Sequence, residues 1–202
     1  MPDRSARLSP LQHLPDVARW RLYVAAPLSE LAAARTWEAL ADVRTRHPLV
    51  RWLPPNKLHL TLVFLGPTDP SDVDSVSAAC AHVAAHQRPF DVATGQAGGR
   101  VGGRGGGVAW LKLPDGGREV ARLSLELDEA IWSHTFDANK PPHPHLTVAR
   151  GVSKACLWDL QSIADTMRLT WTVDRIALFR SHTDPAGSRY AELASATLNT
   201  GA

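Results

Sequence analysis

Two segments of the chain alternate apolar and polar positions with a period of two, and each sets a histidine and a threonine on one side. In "HLTL" (His59–Leu62) side chains two apart share a strand face, so His59 and Thr61 point one way and Leu60 and Leu62 the other. In "HLTV" (His145–Val148) His145 and Thr147 oppose Leu146 and Val148 in the same manner. Each unit thus offers two apolar side chains to a core and one imidazole and one hydroxyl to the opposite side.

The surrounding pattern predicts the remaining elements. "RLYVAA" (Arg21–Ala26) is a strand stopped by Pro27. Ser29 is placed to cap a helix that carries Leu31, Trp37 and Leu40 at helical spacing and ends before Pro48. A helix follows Ser71 and Asp72, and "RPFDVATG" and "VAWLKL" (Val108–Leu113) read as strands. "GREVARLSLELDEAIWSH" is a helix with Val120, Leu123, Leu127 and Ile131 on one face. "VSKACLWDLQSIADTM" is helical, and two strands flank the turn "DPAG" near the end. The segment Gly95–Gly107 reads as a flexible loop, since glycine at this density weakens helix and strand alike. The predicted order is β α β α β β α β α β β. A strand, a helix and a motif strand recur in each half, a weak internal duplication. The expectation is an α+β fold of two pseudo-symmetric lobes. Each lobe is an antiparallel sheet with helices on its outer face, and each sends one His-x-Thr-x strand to a cleft between them. Residues 1–20 are expected to be loosely ordered and 21–198 to form a single bilobal domain.

Composition narrows the function. Apolar residues make up 44% of the chain and charged residues 21%, enough for a sizeable core. The formal net charge of +2 argues against a long nucleic-acid footprint. Arg far outnumbers Lys, which is compatible with bidentate phosphate recognition. Cys80 and Cys156 fall in predicted helices without CxxC spacing, as buried thiols of a reduced compartment do. No leader-like apolar region opens the chain, and no apolar run nears the roughly 20 residues that span a bilayer. A cytoplasmic monomer with no membrane association is expected.

A cleft with two imidazoles and two hydroxyls suits cleavage of a phosphodiester. One neutral imidazole takes a proton from an attacking water and one imidazolium gives a proton to the departing oxygen. Threonine hydroxyls donate to the non-bridging phosphoryl oxygens. The rival is zinc, since His143 and His145 share a strand face. No carboxylate or third His or Cys stands nearby, and Pro144 constrains the backbone between them, so neither a metal nor a cofactor is expected.

The residues that carry this chemistry sit in longer blocks. "VRWLPPNKLHLTLVFLG" (Val50–Gly66), "GGVAWLKL", "PHPHLTVAR" and "IALFRSHTDPAGSRYAEL" together resemble the two-histidine phosphoesterase superfamily. Within it, the chain is similar to the RNA 2′,3′-cyclic phosphodiesterases, also called 2′-5′ RNA ligases, over about Arg21 to Leu198. The resemblance implies metal-independent hydrolysis of RNA ends bearing a 2′,3′-cyclic phosphate to 2′-phosphomonoesters, with reverse 2′-5′ joining. It implies His59 as proton donor and His145 as proton acceptor, which the symmetry of the two tetrads leaves undecided. It implies phosphate binding by Thr61, Thr147 and Arg150 and an aromatic substrate contact at Phe64. Related activities on 2′-5′ oligoadenylate or ADP-ribose cyclic phosphate, and a non-catalytic RNA-end binding module, are the alternatives. The Gly98–Gly107 segment departs from the family pattern. Arg100 and Arg104 stand there among glycines, and a surface insertion is expected rather than a phosphate-binding flap. His13, His47, His82, His86 and His134 are assigned no role. Trp37, Trp132, Trp158 and Trp171 are expected in the core or between lobes, with Trp110 on a strand that borders the cleft and Tyr190 structural.

Overall fold

The computed structural model describes residues 19–102, 106–132, 143–184 and 187–201. His13, Arg104 and His134 lie outside the described residues, as does all of the expected loose segment except Arg19 and Trp20. Trp20 belongs to the first strand, packs against the core and carries the Arg180 guanidinium 4.1 Å above its ring.

The described residues form ten strands and five α-helices, in the order β1 (Trp20–Pro27), α1 (Glu30–Ala39), α2 (Ala41–Arg46), β2 (Arg51–Trp52), β3 (His59–Thr68), α3 (Val73–His86), β4 (Phe90–Ala93), β5 (Ala97–Arg100), β6 (Val108–Lys112), α4 (Gly117–Trp132), β7 (His145–Arg150), α5 (Lys154–Ala164), β8 (Thr170–Val173), β9 (Arg175–Asp184) and β10 (Gly187–Thr197). The predicted caps and faces hold locally. Ser29 accepts the amide of Ala32 at the start of α1. Val120, Leu123 and Leu127 of α4 are buried. Cys80 and Cys156 are free and buried, and burial pushes the Cys80 thiol up to about 12.

Eight strands form one antiparallel sheet in the order β10-β9-β1-β3-β7-β6-β5, with β2 added beside β7, while β4 and β8 pair separately. The sheet has two halves. β10-β9-β1-β3 is one, and β7-β6-β5 with β2 is the other. Among the described residues the ladder that joins them is a single pair, Leu60 of β3 with Leu146 of β7, both fully buried. α3 packs on β9, β10 and α4, and α4 packs on β3, so both cover the first half. α5 packs on β5 and is joined to α2, which places them on the second.

Three expectations are corrected. The first helix is two, since Leu40 leaves helical geometry between α1 and α2. Trp158 is 75% exposed on α5. Part of the glycine-rich segment is a strand, because β5 pairs residue by residue with β6. Its glycines are steric concessions there. A Cβ on Gly98 would lie 2.6 Å from Nε1 of Trp110, and one on Gly99 would lie 2.6 Å from a methyl of Leu157. The ladder to β6, and the large side chains packed over it, supply the order that glycine alone does not.

Candidate active site

β3 and β7 project their tetrads as the alternation requires. Leu60, Leu62, Leu146 and Val148 are buried in the core, while His59, Thr61 and Thr147 are half-buried and His145 is exposed. The register through Leu60 and Leu146 sets His59 across from Thr147 and Thr61 across from His145. Each histidine therefore faces the other tetrad's threonine about an approximate two-fold axis. Leu60–Leu146 is the one ladder pair between the two strands among the described residues, so the backbones beside the tetrads are left without a continuous ladder.

Both imidazoles are held by the same device. Nδ1 of His59 donates to the carbonyl of Lys57 at 2.8 Å, and Nδ1 of His145 donates to the carbonyl of His143 at 2.7 Å. A carbonyl only accepts, so each Nδ1 carries a proton and each Nε2 is left to the cleft. Lys57 is itself fixed, since its Nζ donates to the Ser188 carbonyl of β10 at 2.7 Å. Among the described residues no other group engages the hydroxyl of Thr61 or Thr147, and no three His, Cys, Asp or Glu come together as metal ligands.

Phe64 and Arg150 each follow their histidine by five residues, which in a regular strand would turn them to the Leu60 and Leu146 face. A bulge corrects this in both strands. β1 pairs Ala25 with Thr61 and Val24 with Val63, skipping Leu62. β6 pairs Trp110 with Thr147 and Ala109 with Ala149, skipping Val148. The extra residue falls at the fourth position of each tetrad and reverses the alternation beyond it. Phe64, 72% exposed, thereby joins the cleft face, with its ring 6.4 Å from that of Tyr23. Arg150 turns the same way, and its charge is felt at His59 across the cleft. Gly66 and Gly151 close the two motif strands with φ of 71° and 72°.

Burial, then the nearby charges of Arg150 and His145, hold the imidazolium of His59 below its ordinary range, against the opposing pull of the Lys57 carbonyl. An anion between these groups would reverse the charge balance.

Beyond Phe64 and Trp110, the sequence reading did not single out the aromatic walls. Tyr23 of β1 stacks on Phe179 of β9 at 5.3 Å and lies 5.1 Å from the His59 ring, and Tyr190 of β10 meets His59 edge-on at 5.6 Å. Burial raises the Tyr23 phenol, which stays protonated. On the other side Trp110 of β6 lies 5.5 Å from His145. Alternation in "RLYVAA" was the available signal for Tyr23, since it opposes Leu22 and Val24. Tyr190, expected as structural, borders the site. Of the histidines given no role, His47 joins α2 to α5, with Nε2 2.8 Å from a carboxylate oxygen of Asp159.

Residues 28–185 match the model of the 2′-5′ RNA ligase superfamily. This chain belongs to that superfamily. Among its superfamily relatives is the RNA 2′,3′-cyclic phosphodiesterase of Thermus thermophilus, 30% identical over 185 residues that span 86% of this chain and 87% of that one. The protein of the same name from Bacillus subtilis is 24% identical over 184 residues, or 89% and 97% of the two chains. Apo LigT of E. coli superposes with a TM-score of 0.70 at 24% identity, covering 91% of this chain and 99% of that one. The TT0787 structure from Thermus thermophilus gives 0.70 at 26% identity, covering 90% and 98%. The superfamily's two-lobe fold is therefore the fold of this chain.

Proposed function

We infer that this superfamily member opens 2′,3′-cyclic phosphates at RNA ends to 2′-phosphomonoesters by proton transfer between His59 and His145. The matched histidines carry this reading. Each is locked through Nδ1 to a carbonyl two residues upstream, and each presents Nε2 to one cleft that also holds two hydroxyls and a guanidinium. The names of the bacterial relatives agree with it.

Nε2 of His145 takes a proton from a water as its oxygen attacks phosphorus. The P–O3′ bond breaks on the opposite side, and Nε2–H of His59 delivers a proton to O3′. Thr61, Thr147 and Arg150 hold the non-bridging oxygens, where charge accumulates. The phosphate anion offsets the positive charge that disfavours the imidazolium of His59, so substrate loads its own acid. Solvent resets both histidines. Run backwards with a 5′-hydroxyl in place of water, the same transfers join strands through a 2′-5′ link. No step calls on a metal.

His59→Ala and His145→Ala are each expected to lose about 10²–10⁴-fold in turnover of a cyclic-ended oligonucleotide, with circular dichroism unchanged and wild-type turnover insensitive to EDTA. Near-full activity in either variant would refute the acid–base pair. Loss on chelation with recovery on zinc would point to a metal.

A further inference from the structure

The cleft has an aromatic wall at each end, and the two walls are differently built. At the His59 end stand Tyr23, Tyr190 and Phe64. At the His145 end stands one indole. Trp110 is the cross-strand partner of Thr147, so it shares the cleft face, and its ring lies 5.5 Å from the His145 ring. It is only half-buried. One side of it rests on β5 at Gly98, where an added Cβ would meet Nε1 at 2.6 Å, C of the ring junction at 2.9 Å and a further ring carbon at 3.2 Å. The missing side chain lets the indole settle close onto the sheet. Lys112, two residues on, shares that face, is exposed and pairs in register with His145.

Displacement at phosphorus runs in line, so entering and leaving oxygens occupy opposite ends of the cleft. The ribose that owns the cyclic phosphate must then lie toward the histidine that serves O3′, and the entering group toward the other. A water needs no aromatic platform. A nucleoside that brings a 5′-hydroxyl does, because a base stacked on an aromatic ring fixes the position of the oxygen it carries. Tyr23, Tyr190 and Phe64 already furnish a wall for the first nucleoside.

We propose that Trp110, seated on Gly98, is the stacking platform for the nucleobase of a 5′-hydroxyl RNA end, and that it selects this end over water as the nucleophile at His145. Lys112 neutralises the first phosphate downstream of that nucleoside. In the joining step, the 5′-hydroxyl proton passes to His145, the new O5′–P bond forms as P–O3′ breaks, and O3′ takes the proton of His59. The site is a second nucleotide subsite, and it rests on the proposed cyclic-phosphate chemistry.

The test is competition between the two nucleophiles. A cyclic-ended oligonucleotide is supplied with a 5′-hydroxyl oligonucleotide at millimolar concentration, and joined and hydrolysed products are counted in the same tube. Trp110→Ala is expected to lower the joined-to-hydrolysed ratio about tenfold, within the range of a single base–aromatic stack. Trp110→Phe should restore most of it. Gly98→Ala, which displaces the indole without removing it, should lower it as well. A ratio unchanged in Trp110→Ala, with both products falling together or neither falling, would overturn the subsite while leaving the cyclic-phosphate reading intact. A wild-type enzyme that hydrolyses the cyclic end yet yields no joined product at saturating 5′-hydroxyl strand would overturn it too. Failure of the wild type to open the cyclic end at all overturns both.

Discussion

At the scale of the residue, His59 and His145 differ less in how they are held than in what surrounds them. Both give Nδ1 to a backbone carbonyl. His59 is the more enclosed and has Arg150 and His145 as neighbours, so its proton is lost more readily than that of an ordinary imidazole. Burial disfavours the charged imidazolium of His59, and the positive charge of Arg150 and His145 adds to this, so its pKa lies below that of an ordinary imidazole. A bound phosphate should move it up, and Arg150→Gln should move it part of the way without ligand. Titration of the His59 Cε1–H resonance checks both shifts, and a value indifferent to phosphate would remove the substrate-loaded acid from the mechanism. In rate terms, the alkaline limb of kcat should lie at higher pH than that of kcat/KM, because the former reports the complex and the latter the free enzyme. The four tetrad residues were legible from alternation alone. Phe64 and Arg150 were not, because a bulge at Leu62 and another at Val148 change which face they use. Nothing in the local composition marks an extra residue that the partner strand declines to pair.

At the scale of the element, the ladder between the two half-sheets is very short. One pair, Leu60 with Leu146, joins β3 to β7, and both side chains are fully enclosed. Truncating either to alanine should destabilise by about 2–5 kcal/mol, measured by urea unfolding. The double variant should cost less than the sum, since the two residues share a contact. A loss under about 1 kcal/mol would mean that the helices, not this pair, hold the halves in register. Helix positions were readable from capping and apolar spacing, as at Ser29 and along α4. β5 was not, because the propensity of glycine argues against strand and only the tertiary partners, Trp110 and Leu157, reverse that. β2 was too short to show a period.

At the scale of the whole molecule, the chain crosses between the halves repeatedly. β1 belongs to the first half and β2 to the second; β3 returns to the first, β5 to β7 build the second, and β9 and β10 close the first. The two lobes are therefore interleaved rather than consecutive, and the cleft between them draws on residues from Tyr23 to Tyr190. Among the described residues no helix is long and apolar enough to cross a membrane. The near two-fold relation of the tetrads gives the cleft two similar ends, and the different aromatic walls are what make the ends unequal. The proposed mechanism has His59 serve the oxygen that leaves and His145 the oxygen that enters, so it predicts that the bond to O3′ is the one broken. The most direct measurement is the product formed from an oligonucleotide ending in a 2′,3′-cyclic phosphate, identified by ³¹P NMR after complete turnover by the wild-type enzyme. A 2′-phosphomonoester with a free 3′-hydroxyl is the predicted product; a 3′-phosphomonoester, or an unreacted cyclic end, would contradict the account.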